Sequence, residues 1–336
     1  MKKFINNAAN VVSEAMRGFG HAHRDLVRVN EKPLYVTRAS PNSAKVALLS
    51  GGGSGHEPLH AGFVGYGMLD AACPGQVFTS PTPDQIGAAA KAVDGGRGVL
   101  FIVKNYAGDV MNFEMAAESF GGQSATVLVQ DDVGVESTEP SRQGRRGVAG
   151  TMVVEKVVGA AAESGADLAA CAALGERAAR ACGSMGVALT SCIVPAAGKP
   201  TFQLGEQEME LGVGIHGEPG RRRVSTPPPP TGAEAVATML IEAIVHDLAP
   251  REGEPLLLLV NGFGGTPLIE LYLMYDAAAR RLEADGFTVA RSLVGNYVTS
   301  LEMAGCSLTI ARLDDEMLRL WDAPAHTPAF ERAGPR

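Results

Sequence analysis

Residues 45–58 read KVALLSGGGSGHEP, and the fold follows from how that stretch is parsed. Lys45 to Ser50 is an apolar run of strand length, Gly51-Gly52-Gly53-Ser54-Gly55 turns the chain, and Pro58 suits the first turn of a helix over residues 59–68. Two further units follow, and the last of them shares this layout of strand, glycine turn, proline and helix. Residues 98–104 (GVLFIVK) feed Asn105-Tyr106-Ala107-Gly108-Asp109 and a helix through residues 110–119. Residues 255–261 (PLLLLVN) feed Gly262-Phe263-Gly264-Gly265-Thr266-Pro267 and a long helix to about residue 285. Short apolar runs that end in glycine turns and alternate with helical periodicity predict an α/β fold.

Between these units, residues 125–130 and 187–194 read as strands, and residues 147–164 and 167–182 as alanine-rich helices. Residues 1–20 read as an amphipathic helix. The expected division is a first α/β domain at 1–183 with the glycine-rich loop and a second at 184–336 with His216, each a central sheet flanked by helices. Arg221-Arg222-Arg223 followed by the prolines at 227–230 reads as a solvated, extended loop that is neither a sheet interior nor a helix.

Composition narrows the function classes. With 336 residues, 46% of them hydrophobic and 20% charged, the chain can bury large cores. Lys and Arg number 29 against 37 Asp and Glu, a formal charge of −8, so no broad basic field is available for nucleic acid. The five cysteines are scattered without a C-x-x-C pair, which fits a reducing compartment and a cytoplasmic protein. No apolar run approaches the ~20 residues of a membrane span, and residues 1–20 lack the apolar core of a signal peptide, so no membrane partner is expected.

Several motifs match by letter and fail by context. His56-Glu57-Pro58-Leu59-His60 spells H-E-x-x-H, but a proline in its middle, which costs a helix interior roughly 3 kcal/mol, breaks the helix that zinc binding needs. No metal site is expected. Gly212-Val213-Gly214-Ile215-His216-Gly217 spells G-x-G-x-x-G, yet Glu218-Pro219-Gly220 follows where a dinucleotide site needs a helix. Gly52-Gly53-Ser54-Gly55-His56 lacks the final glycine of a nucleophile elbow, and Gly198-Lys199 runs into Pro200 instead of completing a P-loop. What remains are polar residues at strand ends, where α/β proteins bind ligands: Gly52 to His56, Lys104, Asp109, and His216 in its own glycine-rich turn. Successive glycines let backbone N–H groups converge on an oxygen, which suits a small molecule rich in hydroxyls or carbonyls.

The stretches KVALLSGGGSGHEPLHAGFVGYGML, ACPGQVFTSPTPDQI, VLFIVKNYAGDVMNFEMA, RRGVAGTMVVEKVVGAAAE, VPAAGKP, MELGVGIHGEPG and WDAPAHTPAF resemble the K (substrate-binding) subunits of dihydroxyacetone kinases, and the similarity runs to about residue 330. The resemblance implies two α/β domains, a homodimer, and a substrate lying between the glycine-loop and histidine segments. It places the substrate-anchoring histidine at His216, whose ring nitrogen would add to the ketone as a reversible hemiaminal. A substrate lacking the carbonyl, such as glycerol, could not be held in that way. The GGSGH motif implies substrate contacts from Gly53, Ser54, Gly55 and His56, and the VKNYxGD motif implies Lys104 and Asp109. Asp109 would be the base for the attacking hydroxyl, with His56 as a hydrogen-bonding or proton-accepting partner.

The resemblance also implies that this chain binds no cofactor itself. The ending at Arg336 matches the stand-alone form, so a separate L subunit would hold ATP or ADP with Mg²⁺, recharged in some members by a phosphotransferase-system protein. Two other readings are a kinase subunit for a related ketose such as erythrulose, and a K-like dihydroxyacetone sensor acting as a transcriptional coactivator. Presence of both His216 and Asp109 favours the enzyme, because a sensor needs the anchor and not the base.

Overall fold

The computed structural model describes residues 2–135, 144–218, 220 and 222–334. In chain order the first elements are α1 (Val11–Ala22), β1 (Val27–Glu31), β2 (Leu34–Arg38), β3 (Ala47–Ser54), β4 (Ala71–Val77), α2 (Pro83–Val93), β5 (Val99–Lys104), α3 (Ala107–Phe120) and β6 (Ser124–Val129). They build a six-stranded mixed sheet in the order β1-β2-β4-β3-β5-β6, with β4, β3, β5 and β6 parallel. β3 and β5 are buried along their whole length, as expected of parallel strands covered on both faces. Ile86 and Ala90 of α2 and Phe113 and Ala116 of α3 close one face over Leu49, Phe101 and Val103. β3 leads to β4 on one side, whereas β5 leads to β6 on the other. Their carboxyl ends therefore flank a topological switch point, the crevice where open α/β sheets take ligands.

The chain continues through α4 (Gly150–Glu163) and α5 (Leu168–Arg180) into a second sheet, of β7 (Cys182–Ala188), β8 (Glu208–Leu211), β9 (Arg222–Ser225), β10 (Pro255–Gly262), β11 (Thr288–Gly295) and β12 (Gly305–Arg312). The order is β11-β10-β12-β7-β8-β9, antiparallel except for β10 with β11. Helices α6 (Gly232–Leu248) and α7 (Leu268–Ala284) pack Leu240, Ile244, Leu271 and Leu282 onto Leu256, Leu258 and Ile310 of this sheet. Both units are α/β.

Their boundaries interleave along the chain. One unit holds Met1–Val129, Thr151–Ala179 and Met317–Arg336, and the other Gln130–Gly150 and Arg180–Glu316. This differs from a single cut at 183, because the last segment returns to the first sheet's unit. Ala329 N donates to Gly62 O (2.9 Å), His326 N to Tyr66 O (2.9 Å), and Lys156 Nζ to Leu320 O (2.7 Å).

The same packing overturns the helix expected over 59–68. Those residues form turns and one short 3₁₀ segment, Ala61–Phe63. Gly62, Gly65 and Gly67 weaken a helix by roughly 1 kcal/mol each relative to alanine. A Cβ at Gly65 would collide with His326 O, and Gly67 sits at φ +77°.

Three smaller departures have local causes. The strand expected at 187–194 begins at Cys182 and ends at Ala188, because Gly183, Ser184 and Gly186 conceal a strand defined by its pairing to β12. Arg222 and Arg223 lie in an edge strand and not in a loop, with Arg223 Nε 3.2 Å from Glu210 Oε2. Charged side chains on an edge suit its open hydrogen-bonding side; Arg221 lies outside the described residues. At the amino end, α1 starts only at Val11.

Candidate active site

The end of β5 carries Lys104, whose side chain is completely buried. Its Nζ lies 2.8 Å from His60 Nε2, 3.3 Å from Gly51 O and 3.7 Å from Asp109 Oδ2. Asp109 is 4% exposed and sits in the first turn of α3, two residues inside the helix start, so it is not the helix cap suggested by its sequence position. The positive end of that helix suits a carboxylate. His60 Nδ1 lies 2.6 Å from Glu155 Oε1 on α4 and 3.0 Å from Ser50 Oγ, and the serine hydroxyl donates to Ile102 O at 2.6 Å. Four ionisable groups thus form one buried row, Asp109, Lys104, His60 and Glu155.

Burial dominates their titration. It lowers the Lys104 pKa, against the pull of Asp109 and Glu155, and lowers that of His60 further, helped by the charges of Lys104 and His56. Burial raises Glu155 to about 8, opposed by the Lys104 charge and a Ser50 hydrogen bond.

The glycines expected to turn the chain after Ser50 instead continue β3 through Ser54, where pairing with β4 holds them extended and close approach requires them. A Cβ at Gly52 would run into Lys104 Nζ, and one at Gly53 would lie 2.6 Å from Thr79 N. Gly55 has φ +103°, open to glycine and strained for other residues. Ser54 Oγ donates to Gly75 O at 2.7 Å, which ties the loop to β4. His56, 1% exposed, stacks on Phe78 with ring centroids 5.0 Å apart. Gly53 and Ser54 at the end of β3, Gly55 and His56 just after it, Lys104 at the end of β5 and Asp109 in the first turn of α3 therefore lie at the carboxyl ends of two neighbouring strands of one unit.

His216 belongs to the other unit, in the turn after β8. Its backbone N–H donates to Glu218 Oε2 (2.5 Å), and its Nδ1 lies 3.1 Å from Glu218 Oε1. Burial opposes ionisation of Glu218, but the hydrogen bond and charge of His216 and the charge of Arg146 hold its pKa down to about 2. Arg146 is itself anchored, Nε to Asp132 Oδ2 and Nη2 to Gly212 O, both at 2.7 Å. With a carboxylate accepting from Nδ1–H, the lone pair of a neutral imidazole sits on Nε2, the more nucleophilic ring position in that tautomer. Among the described residues after Gly217 the next element is the strand β9, so the G-x-G-x-x-G letters here are not a dinucleotide loop.

The Dak1 domain model matches residues 17–329. The chain belongs to the Dak1 domain family. Among its relatives is the Escherichia coli PEP-dependent dihydroxyacetone kinase, dihydroxyacetone-binding subunit DhaK, 48% identical over 98% of this chain and 99% of that one. Among solved structures, the dihydroxyacetone kinase of C. freundii superposes with a TM-score of 0.87 at 34% identity, covering all of this chain and 61% of the other. A dihydroxyacetone kinase operon co-activator gives 0.89 at 33% identity, covering 95% and 98%. Membership of the Dak1 family accords with the two α/β units and with the resemblance carried by the glycine-loop and histidine motifs.

Four residues of these clusters carry no role in the sequence analysis: His60, Glu155, Glu218 and Arg146. His60 was in view only as the second histidine of a failed zinc motif. Glu155 and Lys156 interrupt the apolar run VVEKVV and are fully buried, and a charged pair inside an apolar helix run is the signal that could have found them. Among the described residues, no group of three or more His, Cys, Asp or Glu side chains could hold a metal ion. No described helix is long and apolar enough to cross a membrane.

Proposed function

We propose that this chain is the dihydroxyacetone-binding subunit of a dihydroxyacetone kinase, an enzyme that phosphorylates the ketose to dihydroxyacetone phosphate. The observation that carries this reading is the match to the E. coli dihydroxyacetone-binding subunit over nearly the whole of both chains. The geometry supports it. A buried lysine and aspartate meet at the switch point of one sheet, and the ring of His216 is held by a carboxylate on Nδ1.

In this mechanism His216 Nε2 adds to the carbonyl carbon of dihydroxyacetone. The one proton that the ring loses from Nδ1 is matched by the one that the carbonyl oxygen gains, so the product is a neutral hemiaminal with no net proton uptake and Glu218 stays a carboxylate throughout. Only a carbonyl accepts this bond, so capture discriminates against glycerol. Asp109 then takes the proton of the primary hydroxyl as its oxygen attacks phosphorus, while His56 and the loop from Gly53 to Gly55 orient that hydroxyl. The phosphoryl group comes from ATP, or from ADP recharged by a phosphotransferase-system protein, held with Mg²⁺ on a separate nucleotide-binding subunit. This chain works as a homodimer that supplies the oriented acceptor and its base, a division suited to a reaction governed by positioning and electrostatics.

The test is a carbon NMR titration with carbonyl-labelled dihydroxyacetone. A bound signal at a tetrahedral-carbon position with wild-type protein, absent with His216→Ala, is the expected result. A carbonyl signal that stays trigonal in saturated wild-type protein would overturn covalent capture.

A further inference from the structure

We propose that His60 is a positioning residue for the transfer step, fixed by Glu155 and Ser50 so that its bare Nε2 holds the Lys104 ammonium beside Asp109 without letting the two join. This inference rests on the kinase reading above and assigns a role to residues lying behind the glycine loop.

With Lys104 charged, the donor and acceptor inventory leaves one arrangement of the ring. Lys104 has only donors, so the His60 Nε2 at 2.8 Å must accept, and the ring proton must sit on Nδ1. From there it points to Glu155 Oε1 at 2.6 Å, with Ser50 Oγ 3.0 Å from the same nitrogen. Gly51 O takes a further Lys104 hydrogen at 3.3 Å. Held on that side, the ammonium stops 3.7 Å from Asp109 Oδ2, an attractive separation but longer than a hydrogen bond. The Asp109 oxygens thus keep lone pairs for a substrate hydroxyl while the positive charge stays close. Without the His60 acceptor, Coulomb attraction in this buried site would draw Nζ onto the carboxylate. Asp109 from α3, Glu155 from α4 and His60 from the segment after β3 face Lys104, and His56 from that segment faces His60. Ser50 and Gly51 on β3 complete the surroundings.

The experiment pairs kinetics with a direct reading of the ring. With the nucleotide-binding partner subunit present, His60→Leu is expected to lower kcat by up to about 100-fold, leave KM within about twofold, and move the acid limb of the kcat profile to lower pH. His60→Gln, whose amide oxygen can accept from Lys104, is expected to recover most of the loss. In parallel, ¹⁵N NMR of wild-type protein should show His60 as the neutral Nδ1–H tautomer throughout pH 6–8. A folded His60→Leu protein with wild-type kcat and pH profile overturns the proposal. So does an Nε2–H tautomer or an imidazolium at His60, a reading that needs no variant to fold. Wild-type protein inactive on dihydroxyacetone would instead sink the kinase reading, while the tautomer measurement would still decide the Lys104 contact.

Discussion

Gly52 gives up its Cβ position to the Lys104 ammonium: a methyl group there would overlap Nζ and lie 3.5 Å from Asp109 Oδ2. Since Lys104 is fully buried and held by His60 and Gly51, its end cannot swing aside. Gly52→Ala should therefore destabilise the fold by about 1–3 kcal/mol through overpacking, seen as a lower urea midpoint. It should also reduce turnover more than Gly51-distal surface changes such as Lys91→Ala. Equal stability and turnover would show that Lys104 is free to relocate.

Asp109 and His216 have separable tasks. Asp109→Asn should bind carbonyl-labelled dihydroxyacetone as wild type does and lose about 10²–10⁴-fold in kcat. His216→Ala should weaken ketone capture and lose discrimination against glycerol. Titration of both variants by NMR, with rates from a coupled assay, checks the division, and a matching loss of ketone binding in the two would contradict it.

Glu218 fixes the His216 ring through Nδ1 and remains ionised, its pKa held near 2. Replacing it with Gln keeps the shape and removes the charge that accepts the Nδ1–H hydrogen bond. Ketone affinity should fall about tenfold, in the range of one charge-assisted hydrogen bond. Calorimetry from pH 5 to 9 should show that Glu218 itself adds no step to the wild-type affinity, since it titrates well below that window.

Glu155 provides a pH signature of folding. Its pKa rises from 4.5 to about 8 on burial, so the folded state keeps a proton that the unfolded state releases. The stabilisation is complete below about pH 4.5 and is lost as pH rises through about 8. Glu155→Gln, neutral at every pH, escapes that decline. The gap in urea midpoint between variant and wild type should therefore shift in the variant's favour from pH 5 to pH 8.5, and a constant gap would contradict the buried, protonated carboxyl.

All five cysteines are buried, and burial raises the thiol pKa of each, to about 11 for Cys171 and about 12 for Cys306. Native protein at pH 7 should react with less than one equivalent of a disulfide reagent in minutes and with all five thiols after denaturation.

The sequence alone determined the α/β class, the strand beginning near residue 45, and the strand, turn and helix units around 98–119 and 255–285, and it singled out Gly53, His56, Lys104, Asp109 and His216 at or near strand ends. Those features are local: an apolar run, a glycine turn and a helical period are set by neighbours within a few residues. Only the tertiary structure decided that residues 59–68 abandon a helix for turns under the returning C-terminal segment, and that the two units interleave. It likewise decided that His60 meets Glu155 across 95 residues and Lys104 across 44. Such contacts depend on how separate elements close on one another, and a buried charge declares its partner only when the low-dielectric interior forces it to find one.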